Sequence, residues 1–200
     1  MTGSDIMRQI EIKRQTNETA VYINLGLDGT GKNKIDTKIG FFNHMLTLLS
    51  AHGLIDLVVE CTGDIEVDGH HTVEDVGIVL GDAFHEAIGD KKGINRYATF
   101  YVPMDETLAR ASLDISGRPF LIFDAGELAP MIGAFDTQLA EEFFRAFAVH
   151  AGITLHLQIL YGKNSHHKIE ALFKALGHAL RHAVEMDPRV KGIPSSKGVL

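Results

Sequence analysis

The chain carries the pattern His-His-x-x-Glu twice, as GHHTVED at Gly69 to Asp75 and as SHHKIEA at Ser165 to Ala171, 96 positions apart (166 − 70). Two copies within 200 residues constrain the fold more than any local propensity, because a repeated pattern points to a repeated structural unit. The flanking sequence agrees. Thr19 to Leu27 alternates as a half-buried strand, and Asp28-Gly29 is a turn signal. Gly40 to Gly53 has helical spacing, with Phe41, Met45, Leu48 and Leu49 on one side and a glycine at its end. Ile55 to Cys61 reads as a strand. Val73, Val76, Leu80, Ala83 and Ala87 then mark an amphipathic helix that closes near Gly89.

The second half follows the same order. Ala98 to Val102, Leu108 to Ile115 and Phe120 to Phe123 read as strands, with the turn Ser116 to Pro119 between the last two. Thr137 to Gly152 is helical and Ile153 to Leu160 is a strand. A last helix carries Ile169, Leu172, Phe173, Leu176, Leu180 and Val184 on its apolar side. AHGLIDLVVE in the first half corresponds to HAGITLHLQI in the second. The expectation is an α+β fold made by internal duplication: residues 1–95 as the first half-repeat, 96–186 as the second, and 187–200 as a Pro- and Gly-punctuated tail without helix. No Ser/Pro/Gly linker separates the halves, so one compact unit is expected.

Composition narrows the function. Hydrophobic residues make up 45% of the chain and charged residues 22%, the balance of a soluble globular protein. A net charge of −7 argues against a general nucleic-acid or anionic-membrane surface. The single cysteine, Cys61, permits no intramolecular disulfide and fits a reducing compartment. Met1 to Gln15 lacks the apolar core of a signal peptide, and no apolar run is long enough to span a bilayer. A soluble cytoplasmic protein is expected.

The histidine pairs carry the chemistry. Adjacent helical residues point ~100° apart, so His70 and His71 cannot easily share one small ion. Glu74 lies within helical reach of either, and the same holds for His166, His167 and Glu170. The pattern suits two ions, each taking one histidine of a pair. A single copy would read as capping or surface chemistry; two copies with glutamate at the same offset point to metal. Imidazole mixed with carboxylate fits manganese, iron, cobalt or zinc, and the absence of thiolate pairs excludes a structural zinc knot.

Other motifs read more plainly. GLDGTGKN, Gly26 to Asn33, nearly matches a phosphate-cradling loop, but Asn33 stands where a Ser/Thr would hold magnesium, so a Gly-rich hairpin is expected. Arg96 and Arg118 lie beside turns, where arginines are ordinarily solvated. The SSKG segment offers hydroxyls and a lysine that can wrap an anion, but its composition favours a plain disordered tail.

FFNHMLTLLSAHG, DGHHTVED, KGINR, SLDISGRP, GKNSHHKIEALFKALGHALR and IPSSKGVL occur in this order, from about Arg14 to Leu200. In these segments the chain resembles the imidazoleglycerol-phosphate dehydratases. The resemblance implies a manganese-dependent hydro-lyase of histidine biosynthesis that converts imidazole glycerol phosphate to imidazole acetol phosphate. It also implies a duplicated half-domain of mostly antiparallel sheet with two helices (ribosomal S5 domain 2-like), two Mn2+ per active site, and a homo-oligomer of 24 subunits with metal sites between neighbours.

By the same resemblance, His44, His70, His71, Glu74, His166, His167 and Glu170 match the metal ligands. The remaining ligand position falls at Glu142, where many members have histidine. Asn43 and Gly69 stand where aspartates are frequent. Glu18, His52, Arg96, Arg118, Lys174, Ser195, Ser196 and Lys197 match positions that contact substrate, together with the metal-site residues His44, His70, His71, Glu74, His166 and His167. Glu18 is the candidate acid/base, with Glu74, Glu170, His71 and His167 around the reacting centre.

The chemistry accounts for these residue types. The proton to be removed has no neighbouring carbonyl to acidify it, so the imidazole ring must relay electrons. Metal on the ring nitrogens favours an imidazolate that expels the hydroxyl through a diazafulvene-like intermediate. A positioned carboxylate then moves the proton, and the arginines with SSKG hold the phosphate. Two other classes compete. A metal-linked assembly protein has no evident need for Glu18, Arg96, Arg118 and SSKG together. A two-metal phosphohydrolase would place phosphate at the metals, whereas here the basic residues lie away from the histidine pairs in sequence.

Overall fold

The computed structural model describes residues 8–200. The signal-peptide reading of the first 15 residues falls partly on residues 1–7, outside the described residues. Two four-stranded sheets are built in the same way. The first contains β1 (Gln9–Gln15), β2 (Thr19–Gly26), β3 (Asn33–Asp36) and β4 (Asp56–Gly63) in the order β1-β2-β4-β3. The second contains β5 (Tyr97–Met104), β6 (Thr107–Asp114), β7 (Phe120–Asp124) and β10 (Thr154–Tyr161) in the order β5-β6-β10-β7. In each, only the third strand is parallel to its neighbour: β3 to β4, and β7 to β10. A small hairpin, β8 (Met131–Ile132) with β9 (Phe135–Asp136), is added in the second half. The duplicated α+β architecture expected from the repeat is therefore present.

Among the described residues, four helices fill the space between the sheets. α1 (Gly40–Gly53) and α2 (His70–Ile88) belong to the first half, and α3 (Gln138–Ala151) and α4 (Ser165–Val184) to the second. α2 covers β1 and β2, while α4 covers β5 and β6. The halves meet through crossed helix pairs, α2 on α3 and α1 on α4. Glycines set the close approach. A Cβ on Gly81 would stand 2.8 Å from the Phe147 carbonyl oxygen, and one on Gly177 would stand 2.7 Å from the Leu49 carbonyl oxygen. These two glycines are 96 residues apart (177 − 81), the spacing of the histidine pairs.

Strand alternation buries Val21, Ile23, Leu25, Leu57, Val59 and Cys61 on the inner face of the first sheet. The second sheet buries small residues on β6, Ala109 and Ala111, and aromatic side chains occupy the space they leave. Phe143, Phe144 and Phe173 are at most 1% exposed, with the Phe144 and Phe173 rings 4.6 Å apart. Truncating one such ring costs about 3–5 kcal/mol. Asp75, buried on α2, is held by Arg14 of β1 and Thr19 of β2, which ties the helix to its sheet.

Several sequence expectations are corrected. The α1 core face is Phe42, Met45, Leu46 and Leu49; Phe41 and Leu48 are half-buried at its margins. Gly53 does not end α1 through its own backbone. Leu54 takes the left-handed conformation (φ 50), and Gly53 is needed because a Cβ there would lie 3.2 Å from the Gly177 carbonyl oxygen. The Gly26–Asn33 segment is not a hairpin, because β4 lies between β2 and β3. Its Thr30 and Lys32 amides donate to the Asp56 carboxylate at 2.8 and 2.9 Å, so a side chain fills the cradle that a phosphate would otherwise use. No helix among the described residues is long and apolar enough to cross a membrane.

Candidate metal and active site

The packing of α1 on α4 gathers three residues, far apart in sequence, that could hold a metal ion. Asn164 caps α4 by accepting from the amides of His166 and His167 at 2.9 and 3.3 Å. This places His166 and Glu170 one turn apart on the face that meets α1. Glu170 Oε2 lies 3.0 Å from His166 Nε2 and 3.2 Å from His44 Nε2. The three ligand atoms fall within 4.8 Å of one another. The Lys174 ammonium holds the other Glu170 oxygen at 2.6 Å. Burial would raise the Glu170 carboxyl, but Lys174, His166 and His44 outweigh it and hold the carboxyl below its ordinary value. Two imidazole nitrogens and an ionised carboxylate converging on one point fit a divalent first-row cation such as manganese, iron, cobalt or zinc.

The crossing of α2 and α3 supplies the counterpart. The left-handed residues that end α1 and α3 are Leu54 and Gly152, 98 apart (152 − 54). The same offset carries His44 onto Glu142 (142 − 44). Glu142 is thus the structural equivalent of His44, with His70 and Glu74 standing for His166 and Glu170. Here the groups are looser: His70 Nε2 lies 3.9 Å from Glu74 Oε2, and Glu142 leans toward Arg145 at 3.7 Å. His44, His70 and Glu142 all line one cleft of about 940 Å³, walled by Ile39, Phe41, Met131 and Leu139. Gly69 at the start of α2 keeps that wall closed, because a Cβ there would meet Ile39 at 3.0 Å and Leu139 at 3.2 Å. The Asn43 amide oxygen is spent on the Thr37 amide and hydroxyl, at 2.8 and 2.6 Å.

The second histidine of each pair is held by a different acid. His71 Nδ1 meets the Asp64 carboxylate at 3.0 Å, and His167 Nδ1 meets Glu106 at 2.8 Å. Each contact raises the imidazole above its ordinary value, through the Asp64 hydrogen bond for His71 and the Glu106 hydrogen bond for His167. Glu106 is held far below the usual carboxylate range, chiefly by the Asn164 amide, with His167 and the Lys163 amide adding to it. Fixing Nδ1 in this way aims Nε2 as a ligand. Glu18 Oε1 lies 3.8 Å from His71 Nε2, and Asp105 lies 3.7 Å from His167 Nε2. Asp64, Asp105 and Glu106 were not anticipated from sequence. A signal existed for one of them: Glu18-Thr19 opens β2 as Glu106-Thr107 opens β6.

The remaining candidates form two further groups. His52 lies on α1 beside His178, with ring centroids 5.3 Å apart; burial lowers its pKa, and the neighbouring Lys174 lowers it further. Arg96, Arg118, Ser195, Ser196 and Lys197 line a smaller pocket of about 320 Å³. Arg118 is 70% exposed there, as expected, but Arg96 is 7% exposed and not solvated. Its guanidinium grips Asp114 at 2.7 and 3.2 Å and donates to the Pro194 carbonyl at 2.8 Å, which fastens the tail. A single chain therefore separates the tail pocket from the cleft that His44, His70 and Glu142 line.

Known proteins match this arrangement. Residues 37–180 fit the family model described as imidazoleglycerol-phosphate dehydratase. A protein of that name from Thermoanaerobacter pseudethanolicus is 61% identical over 97% of this chain and 100% of its own length. One from Streptococcus thermophilus is 58% identical over the same shares. The crystal structure of imidazoleglycerol-phosphate dehydratase from Staphylococcus aureus superposes with a TM-score of 0.82, at 44% identity, over 90% of this chain and 99% of that one. The repeated histidine pairs, the crossed helices that gather them and these full-length relatives agree: the chain belongs to the imidazoleglycerol-phosphate dehydratase family of hydro-lyases.

Proposed function

We propose that the protein dehydrates imidazole glycerol phosphate to imidazole acetol phosphate, a step of histidine biosynthesis, using two manganese ions per active site. The observation that carries the reading is the convergence of His44, His166 and Glu170 on one point, with an equivalent set at Glu142, His70 and Glu74. Two ions bound there would supply Lewis-acid stabilisation of charge on the substrate's imidazole ring as the hydroxyl leaves. The chain's own groups do the rest. Glu18, half-exposed beside His71, accepts the carbon-bound proton and returns one to the product. Asp64 and Glu106 hold His71 and His167 in the tautomer that presents Nε2. Arg118, Ser195, Ser196 and Lys197 bind the phosphate, and His52 and Lys174 lie on the α1/α4 face toward the same substrate. Distant phosphate binding orients the reacting end.

Complete sites form between subunits of a 24-subunit homo-oligomer in this reading. Its support is geometric. His71 and His167 are turned away from the triads of their own chain, and the tail pocket stands apart from the cleft that His44, His70 and Glu142 line. No nucleic acid or membrane partner is needed. The test is to incubate manganese-loaded protein with imidazole glycerol phosphate and follow the keto product. Formation of that product, lost on chelation and restored by manganese, supports the reading. Absence of product from fully metallated protein overturns it.

A further inference from the structure

The tail pocket carries Arg96, Arg118 and Lys197 on its wall beside Ser195 and Ser196, and among the described residues no acidic side chain lines it. One carboxylate outside that lining reaches both arginines. Asp114 closes β6, and its Oδ1 accepts from Arg96 Nε at 2.7 Å while its Oδ2 accepts from Arg96 Nη2 at 3.2 Å. The same Oδ2 lies 3.7 Å from Arg118 Nη2. Paired contacts of this kind fix the plane of a guanidinium. The third nitrogen of Arg96, Nη1, donates to the Pro194 carbonyl at 2.8 Å.

That last contact gains its weight from where it falls in the chain. The tail is strapped to the segment after α2, with the Asp187 amide donating to the Gly93 carbonyl at 2.8 Å and the Gly93 amide to the Gly192 carbonyl at 3.0 Å. Pro194 immediately precedes Ser195. Beyond it, among the described residues, the hydrogen bonds of the tail are internal: the Gly198 amide donates to the Ser195 carbonyl at 3.0 Å, and the Lys197 amide to Ser195 Oγ at 3.2 Å. Arg96 therefore supplies the last outside hydrogen bond before Ser195, Ser196 and Lys197. Its own backbone is left-handed (φ 73), which is uncommon for a residue with a side chain. It is held there from both sides, its amide donating to the Ala183 carbonyl at 2.8 Å and its carbonyl accepting from the Ile115 amide at 3.1 Å.

We propose that Asp114 is a positioning residue of the tail pocket. By fixing the Arg96 guanidinium it holds Pro194, and so sets Ser195, Ser196 and Lys197 around the substrate's phosphate; it also keeps Arg118 beside them. The proposal rests on the assignment of that pocket to the phosphate. Charge and position predict opposite signs here. A negative charge beside an anion pocket opposes the anion, so by charge alone removing it should tighten phosphate binding. By position, removing it should weaken binding.

The test uses full-length, metal-loaded protein with two variants. Asp114→Asn keeps the shape and loses the charge and the paired acceptor, while Arg96→Lys keeps the charge and cannot form the fork. Inorganic phosphate is the probe, titrated directly and as a competitor of imidazole glycerol phosphate. Asp114→Asn is expected to bind phosphate about tenfold or more weakly and to raise KM by a similar factor. The fall in kcat should be smaller than the rise in KM, and metal content should not change. Hydrogen exchange should quicken at the Ser195, Ser196 and Lys197 amides and stay as in the parent along α4. Arg96→Lys should behave alike, and the double variant should bind little more weakly than either single one, because both break one contact. Phosphate binding in Asp114→Asn equal to or tighter than the parent's would overturn the proposal while leaving the pocket assignment standing. So would faster exchange along α4 with metal loss, or failure of Asp114→Asn to fold, since the carboxylate would then serve the fold as a whole. If the parent itself neither binds phosphate nor turns over the substrate, the assignment of the pocket fails, and the proposal fails with it.

Discussion

His44 and Glu170 stand 126 residues apart in the chain, yet His44 Nε2 lies 3.2 Å from the Glu170 carboxylate. The contact exists because α1 and α4 cross closely, and they cross closely because Gly177 has no side chain. A Cβ on Gly177 would stand 2.7 Å from the Leu49 carbonyl oxygen and 3.0 Å from the Gly53 amide nitrogen. The candidate metal triad of His44, His166 and Glu170 is thus built on helix packing between the two halves.

Gly177→Ala should separate α1 from α4 and loosen both fold and site. Overpacking of this kind costs about 1–3 kcal/mol. Thermal melting and manganese titration should show a lower melting temperature together with weaker binding. Gly192→Ala is the control, because no atom lies within 4 Å of its added Cβ. Weakened fold with unaltered manganese affinity would show that the triad does not depend on the crossing.

Glu142→His should keep its metal and most of its turnover, while Glu142→Ala should lose both. Glu142 occupies the place in α3 that His44 occupies in α1, so either an imidazole or a carboxylate can serve there. Metal analysis and the turnover rate of both variants check this. Two ions per chain and full rate in Glu142→Ala would remove the residue from the ligand set.

These two cases show what was readable from sequence. The core faces of α2 and α4 and the paired His-His-x-x-Glu segments follow from 3.6-residue spacing and repetition and are where they were expected, whereas the buried face of α1 is rotated onto Phe42 and Leu46. β1 was not anticipated because it buries neither face fully and alternates between exposed and half-buried residues. β3 is four polar-leaning residues, and β8 and β9 are two residues each, too short to leave a periodic signal. The equivalence of His44 and Glu142 emerges only when the helix ends are superposed, because one is an imidazole and the other a carboxylate. Asp64 and Glu106 were invisible for another reason: an acid beside a turn acquires its role only when folding brings a histidine to it. Arg96 reads as solvated until Asp114 and Pro194 are seen to close around it.

Glu18→Gln should bind metal and phosphate as the parent does and lose turnover by about 10²–10⁴-fold. The amide keeps the shape beside His71 but cannot accept the proton. A steady-state split, with kcat reduced and KM little changed, is the expected result. Near-normal turnover would move the acid/base role to another group.

Cys61 should be inert in the folded protein and reactive after unfolding. It is 3% exposed on β4, and burial pushes its thiol from an ordinary 9.0 up to about 11. The folded state therefore favours the neutral thiol. The stability tied to it is fully present below pH 9.0 and is lost as pH rises toward about 11. Thiol titration with and without denaturant at pH 8 tests the first part. Cys61→Val should lessen the loss of stability between those two pH values. Rapid labelling of the native protein would contradict the burial.

The most direct test of the paired metal sites is an anomalous difference map at the manganese edge from crystals grown with Mn2+. The account predicts two peaks per chain. One lies against His44, His166 and Glu170, the other against Glu142, His70 and Glu74, each with the Nε2 of a His71 or His167 side chain near it. No peak at either set, or manganese bound only to scattered surface carboxylates, would contradict it.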